Sequence, residues 1–191
     1  MTDIKPEFVN VLKEFKINNK KVLEIGCGTG DFTKILQLSN DVTPTDIRPF
    51  KLKNFIQADA RNLPFKSKSF DVVFGNFVLH HVVGDLDKVA KEAARILKPN
   101  GYYYGIEPNG IILYPWIFLV SYLLRIKPRC KGDDERALHS KYVKECFINN
   151  GFNVSITHRM TYLPIFHDKL NFIKNRYISS CMLIKARLNG N

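Results

Sequence analysis

Short, nearly continuous apolar runs alternate along this chain with stretches whose apolar residues return every three or four positions. The runs at Lys20–Ile25, Asp41–Thr45, Asn54–Gln57, Phe70–Gly75 and Tyr102–Ile106 read as strands. The fourth, Phe70-Asp71-Val72-Val73-Phe74-Gly75, has the near-unbroken apolar content of a strand buried on both faces. Helical spacing places Phe8, Val9, Leu12 and Phe15 on an opening helix over 6–17, and Phe32, Ile35, Leu36 and Leu38 on a second over 31–38. A third runs from Asp85 to Leu97, with Leu86, Val89, Ala93, Ile96 and Leu97 on one stripe. It stops at Lys98-Pro99-Asn100-Gly101, where proline and glycine cannot continue it. This alternation predicts a doubly wound, mostly parallel sheet with helices on both faces. Only eight residues, Ile47 to Asn54 with Pro49 among them, separate the second and third strands. The helix between those strands is therefore expected to be shortened or absent. Later, Tyr142–Asn150 reads as a helix closed by Gly151, and Phe152–Met160 and Ser180–Leu188 as an antiparallel pair, giving an antiparallel last strand.

In such a sheet the ligand lies beyond the carboxyl ends of the strands. Gly26–Gly30, Asp46, Asp59, Asn76 and Glu107 all fall at those ends and are expected to share one rim. The strand Val22-Leu23-Glu24-Ile25 leads into Gly26-Cys27-Gly28-Thr29-Gly30, a turn with glycine at alternate positions. Without Cβ atoms these residues accept positive φ, and they expose N–H groups at the start of the next helix. The spacing is G-x-G-x-G. The dinucleotide fingerprint G-x-G-x-x-G would need a third glycine where Asp31 stands, so the turn points to a different nucleotide-like cofactor.

Composition narrows the class. A chain of 191 residues, 45% hydrophobic and 25% charged, suits one soluble domain with a sizeable core. Cysteines 27, 130, 146 and 181 lack C-x-x-C or Cys/His spacing, so neither a metal site nor a disulfide framework is expected. The amino terminus has no apolar core of the kind a signal peptide needs, and a cytoplasmic location is expected. Of the net charge of +11, +8 falls after residue 110. That excess fits an anionic substrate, an anionic membrane surface or nucleic acid.

Five ordered blocks carry a resemblance: VLEIGCGTG at 22–30, TDIRP at 45–49, QADARNLPF at 57–65, FDVVFGNFVLHHV at 70–82 and ARILKPNGYYYGIEP at 94–108. Over roughly residues 20–108 the chain resembles the class I S-adenosylmethionine-dependent methyltransferases, in particular the type 11 or UbiE-like small-molecule group. The resemblance implies a Rossmann-like fold. It implies S-adenosylmethionine as cofactor, with Gly26, Gly28 and Gly30 under its methionine and ribose portion and Glu24 ordering that loop. Asp46 would accept hydrogen bonds from both ribose hydroxyls, two acceptors meeting two donors. Asp59 would take the adenine amino group, with the Ala60 N–H beside a ring nitrogen. Asn76 would meet the methionine part, and Cys27, Ile47 and Phe77 adjoin these positions. The expected layout is a single methyltransferase domain over 1–191. It comprises an N-terminal helix (1–19), a cofactor-binding core (20–108), a substrate lid (109–150) and C-terminal strands (151–191).

Methyl transfer from a sulfonium needs mainly alignment, plus a base where the acceptor keeps its proton. His80 and His81, after the fourth strand, are the catalytic candidates; an unperturbed imidazole titrates at about 6.5. Trp116, His139 and Tyr142 are candidates for the acceptor side. Apolar residues 111–124 are too few to cross a bilayer of about 30 Å. They read as a lid over a hydrophobic or anionic small-molecule acceptor. With the basic residues that follow, 111–131 would also suit peripheral membrane contact. RNA methylation is an alternative raised by charge, but no N-P-P-Y tetrapeptide follows the fourth strand, where Asn76-Phe77-Val78-Leu79 stands. A non-enzymatic partner protein that retains the fold and binds cofactor is the alternative outside enzymes.

Overall fold

The computed structural model describes residues 12–108, 123, 138–161 and 179–190. One seven-stranded sheet runs through them in the order β3-β2-β1-β4-β5-β7-β6. Its strands are β1 (Lys21–Ile25), β2 (Asp41–Asp46), β3 (Ile56–Gln57), β4 (Phe70–Asn76), β5 (Leu97–Pro108), β6 (Phe152–Thr161) and β7 (Ser179–Leu188). The first five pair in parallel. β7 inserts antiparallel between β5 and β6. The helices are α1 (Asp31–Leu36), α2 (Leu86–Ile96) and α3 (Ser140–Asn149). The sequence expectation of a mostly parallel doubly wound sheet with an antiparallel last strand is met.

Alternation along the strands explains the two layers. Leu23, Ile25, Val73 and Tyr103 pack with Leu86, Val89, Ala93 and Ile96 of α2 and with Val143 and Phe147 of α3. The neighbouring positions Val22, Val72, Phe74 and Tyr104 turn to the other face, against Leu36 of α1 and the N-terminal residues Leu12 and Phe15. Residues 12–15 are helical; the rest of the expected opening helix lies outside the described residues.

No helix lies between β2 and β3, as the eight-residue spacing predicts. Two boundaries differ from expectation. β3 is only Ile56–Gln57, because Asn54 takes a left-handed turn at φ 59 just before it. β5 begins at Leu97, directly after α2, rather than at Tyr102. The helix ends at Ile96, ahead of Pro99 and Gly101: the chain is already extended at Leu97, which pairs with Phe70. A register shift between Phe70 and Val72 takes up the extra residues.

The chain crosses from one side of β1 to the other between β2 and β4. That is the switch point at which open α/β sheets form their ligand crevice.

Candidate functional site

Three turns at the carboxyl ends of β1, β3 and β4 build the site. In the first, Gly26, Gly28 and Gly30 all have positive φ, at 63, 50 and 80. A Cβ on Gly26 would stand 2.3 Å from Val78 Cγ2, and one on Gly30 would meet Leu52 at 2.7 Å. A Cβ on Gly28 would meet nothing within 4 Å. Gly26 and Gly30 are therefore glycines for packing, whereas Gly28 is bare backbone facing open space. Its N–H donates to Asp46 Oδ2 at 3.0 Å, and the Arg48 N–H donates to Asp46 Oδ1 at 2.9 Å. Asp46 is thus fixed at the end of β2 with only 6% of its surface exposed. Each of its oxygens still has a lone pair for a second donor.

Glu24 lies behind the turn, 2% exposed, and accepts a short hydrogen bond from the Thr33 hydroxyl of α1. Burial pushes its pKa up to about 7, against the opposing effect of that hydrogen bond. The Cys27 thiol is pushed up to about 12, by burial first and then by the carboxylates of Glu24 and Asp46. It is a packed thiol rather than a nucleophile.

In the second turn, Asp59 accepts the backbone N–H of Arg61 at 2.9 Å and its guanidinium through Nε and Nη2. Arg61 Nη1 also reaches Asp85 at 2.8 Å, just before α2. The hydrogen bonds from the Arg61 side chain hold the Asp59 carboxyl below the usual carboxylate range.

The third turn follows β4. Phe77 has φ 54, an uncommon value for a bulky residue, and its N–H donates to the Ile106 carbonyl. A 3-10 turn, Leu79–His81, comes next. Val78 and Leu79 N–H groups donate to Glu107 Oε1 at 2.8 and 2.7 Å, and His80 Nδ1 lies 2.9 Å from Glu107 Oε2.

Between these turns lies a cavity of about 370 Å³. It unites eight of the predicted positions: Gly26, Gly28, Asp46, Ile47, Asp59, Ala60, Phe77 and His81. Glu24, Cys27, Gly30 and Asn76 stand behind or beside the wall, outside the lining. Asn76 Oδ1 is buried without a hydrogen-bond partner. The two histidines separate: His81 borders the cavity, while His80 turns to Glu107. Tyr142 donates its hydroxyl to the Val83 carbonyl at 3.2 Å, next to the wall residue Val82. His139 is exposed at the start of α3, away from the lining. Trp116 and the 111–131 stretch, Leu123 apart, lie outside the described residues.

Arg48, Arg61, Val78 and Val82 also line the cavity and were not picked out as site residues. A signal for the arginines was present. Asp46-Ile47-Arg48 and Asp59-Ala60-Arg61 repeat one D-x-R spacing. In both, the aspartate accepts the N–H of the arginine two residues on, an Asx-type turn that points both side chains at the rim.

The cavity suits a nucleoside-like ligand. It has a cradle with no Cβ at Gly28, a fixed two-oxygen acceptor at Asp46, and a volume within the range of small-molecule sites. Residues 23–105 match the Methyltransf_11 family, described as a methyltransferase domain. The ubiquinone/menaquinone biosynthesis C-methyltransferase UbiE of Pasteurella multocida is 34% identical over 114 residues, covering 50% of this chain and 42% of that protein. A phthiotriol/phenolphthiotriol dimycocerosates methyltransferase of Mycobacterium tuberculosis is 32% identical over 112 residues, covering 50% of this chain and 41% of that protein. The matched part of this chain thus spans under half the length of these relatives. A solved S-adenosylmethionine-dependent methyltransferase from Mesorhizobium loti superposes with a TM-score of 0.70 at 16% identity. The match covers 97% of this chain and 99% of that one, and it shows the shared fold. The fold is that of the class I methyltransferases. The segment 23–105 matches the methyltransferase domain of the type 11 group.

Proposed function

We propose that this protein binds S-adenosylmethionine in the cavity between Gly28 and Asp59 and transfers its methyl group to a small-molecule acceptor. The observation that carries this is the open backbone at Gly28 set against the nearly buried Asp46 carboxylate at the switch point of the sheet. Asp46 would hold the ribose hydroxyls, and the Asp59–Ala60 turn the adenine. The bound cofactor supplies an activated methyl group, so the chain's own task is alignment and exclusion of water. His81, the imidazole on the cavity wall, would accept the proton of a protic acceptor.

The acceptor is read as hydrophobic or anionic. Two features support this. The strongly apolar 111–124 stretch, followed by Arg125, Lys127, Arg129 and Lys131, comes directly after β5. The relatives named above act, by their names, in quinone biosynthesis and on dimycocerosates.

Calorimetry with S-adenosylmethionine and with its demethylated product tests the cofactor. Binding by the wild-type chain is expected. Asp46→Ala should weaken it by more than ~1 kcal/mol through loss of charge-assisted hydrogen bonds. Absence of binding by folded wild-type protein overturns the reading.

A further inference from the structure

Glu107 is fully buried at the end of β5, with 0% of its surface exposed. Its two oxygens meet four nitrogens, all in the turn after β4. Oε1 takes the Val78 and Leu79 N–H groups, and Oε2 takes the His80 N–H at 3.4 Å and lies 2.9 Å from His80 Nδ1. Three of those four partners are backbone N–H groups, so the oxygens act as acceptors. Against an ionised Glu107 the fourth contact requires a hydrogen on His80 Nδ1, which in the neutral ring leaves Nε2 bare. The same turn holds Phe77 at φ 54, a conformation that strains a bulky side chain and persists only where the surroundings impose it. Here the surroundings are the Glu107 carboxylate on one side and the Phe77 N–H bond to Ile106 on the other. Val78, gripped by Glu107, in turn fills the space in front of Gly26 that any Cβ would need.

We propose that Glu107 is a positioning residue for the cofactor and acceptor sites. Its carboxylate fixes the strained turn from Phe77 to His81, keys that turn into Gly26, and selects the Nδ1–H tautomer of His80. Glu107 belongs to the fifth sequence block and stands at a strand end, yet it does not touch the cavity. It acts through three wall residues that do: Phe77, Val78 and His81. The His80 and His81 rings lie 3.9 Å apart, so the orientation of one constrains the other. The relevance of this positioning to catalysis rests on the cofactor reading above; the tautomer assignment does not.

The test combines two measurements on the full chain. Nitrogen-15 NMR of histidine-labelled wild-type protein, at a pH where imidazole is neutral, reports the tautomer of each ring. His80, assigned by its loss in His80→Gln, is expected to show a protonated Nδ1 and a bare Nε2. A protonated Nε2 overturns the proposal, whether or not any cofactor binds. In Glu107→Gln, one amide oxygen can still serve Val78 and Leu79, while the amide NH2 cannot accept from Nδ1–H. His80 should lose its single-tautomer signature, and binding of S-adenosylhomocysteine should weaken about tenfold. An unchanged His80 spectrum and unchanged affinity in a folded Glu107→Gln protein overturn it. Should Glu107→Gln not fold, the wild-type tautomer still decides. Failure of the wild-type chain to bind S-adenosylhomocysteine, with the Nδ1–H tautomer present, would remove the cofactor reading and leave the clamp standing.

Discussion

Gly26 and Gly28 share a left-handed backbone but differ in what a side chain would meet, and the difference separates folding from binding. Gly26→Ala adds a Cβ 2.3 Å from Val78 Cγ2 to the cost of φ 63. Overpacking and backbone strain together should remove about 3 kcal/mol of stability. Gly28→Ala carries only the backbone cost at φ 50, about 1–2 kcal/mol, because no atom lies within 4 Å. Its methyl would instead occupy the cradle, so cofactor binding should fall more than stability does. Urea unfolding beside calorimetry distinguishes the two variants; equal stability losses would contradict the assignment. Glu24 gives a pH signature. Its folded pKa, about 7, lies above the ordinary carboxylate value, so the native state holds the proton more tightly than the unfolded chain. Stability is therefore greatest at low pH with respect to this group. It declines as pH rises from about 4.5 to about 7, by about 3 kcal/mol in all, and is level above that. Glu24→Gln should flatten that slope in denaturant titrations across pH 5–8.

The connections on the β3 side of the sheet lack helices, and α2 compensates. Between Gln57 and Phe70 the chain has no helix and only the isolated bridge between Asp59 and Asn62. Arg95 of α2 donates to the carbonyls of Phe65 and Leu63, and Glu92, paired with Arg95, accepts the Leu63 N–H. One helical turn thus satisfies backbone groups that a missing helix would have satisfied itself. Arg95→Ala should cost about 2 kcal/mol and speed hydrogen exchange at Leu63, while amides of β1 stay protected. Exchange that rises equally in β1 would argue against a local tie. These elements also show what could be read from residues alone. The absent helix after β2 was legible because eight residues with a proline leave no room for one. The early start of β5 was not, because Pro99 and Gly101 signal only where a helix ends. That Leu97 already pairs with Phe70 is set by a neighbouring strand. Similarly, Gly28, Asp46 and Asp59 were legible from spacing. The strand-end place of Glu107 and the D-x-R spacing of Arg61 were legible too, but not their partners at Val78–His80 and Asp85, which lie far off in sequence.

The C-terminal strand decides whether the molecule holds together, although it contributes nothing to the cavity. β7 enters from the far end of the chain and lies between β5 and β6, so both of its edges are paired. Met182, Ile184 and Ala186 are fully buried against the face that α2 and α3 cover. Glu107, the residue that grips the pocket turn, sits on β5 opposite Met182 of β7. The matched segment 23–105 therefore ends on a strand, β5, whose outer edge is closed, among the described residues, by β7 beyond it. An unpaired β5 would expose a long apolar edge and release the Glu107 side of the clamp. Ile184→Ala removes core volume without touching the site, and should cost about 2–5 kcal/mol of stability. At temperatures where the variant remains folded, its affinity for S-adenosylhomocysteine should equal that of wild type. As urea rises, binding should be lost together with the far-ultraviolet circular dichroism signal, at a lower midpoint than wild type. Retention of binding past that midpoint would mean that the segment 23–105 stands without the antiparallel strands. Weakened binding in the absence of denaturant would mean that β7 shapes the cavity through β5.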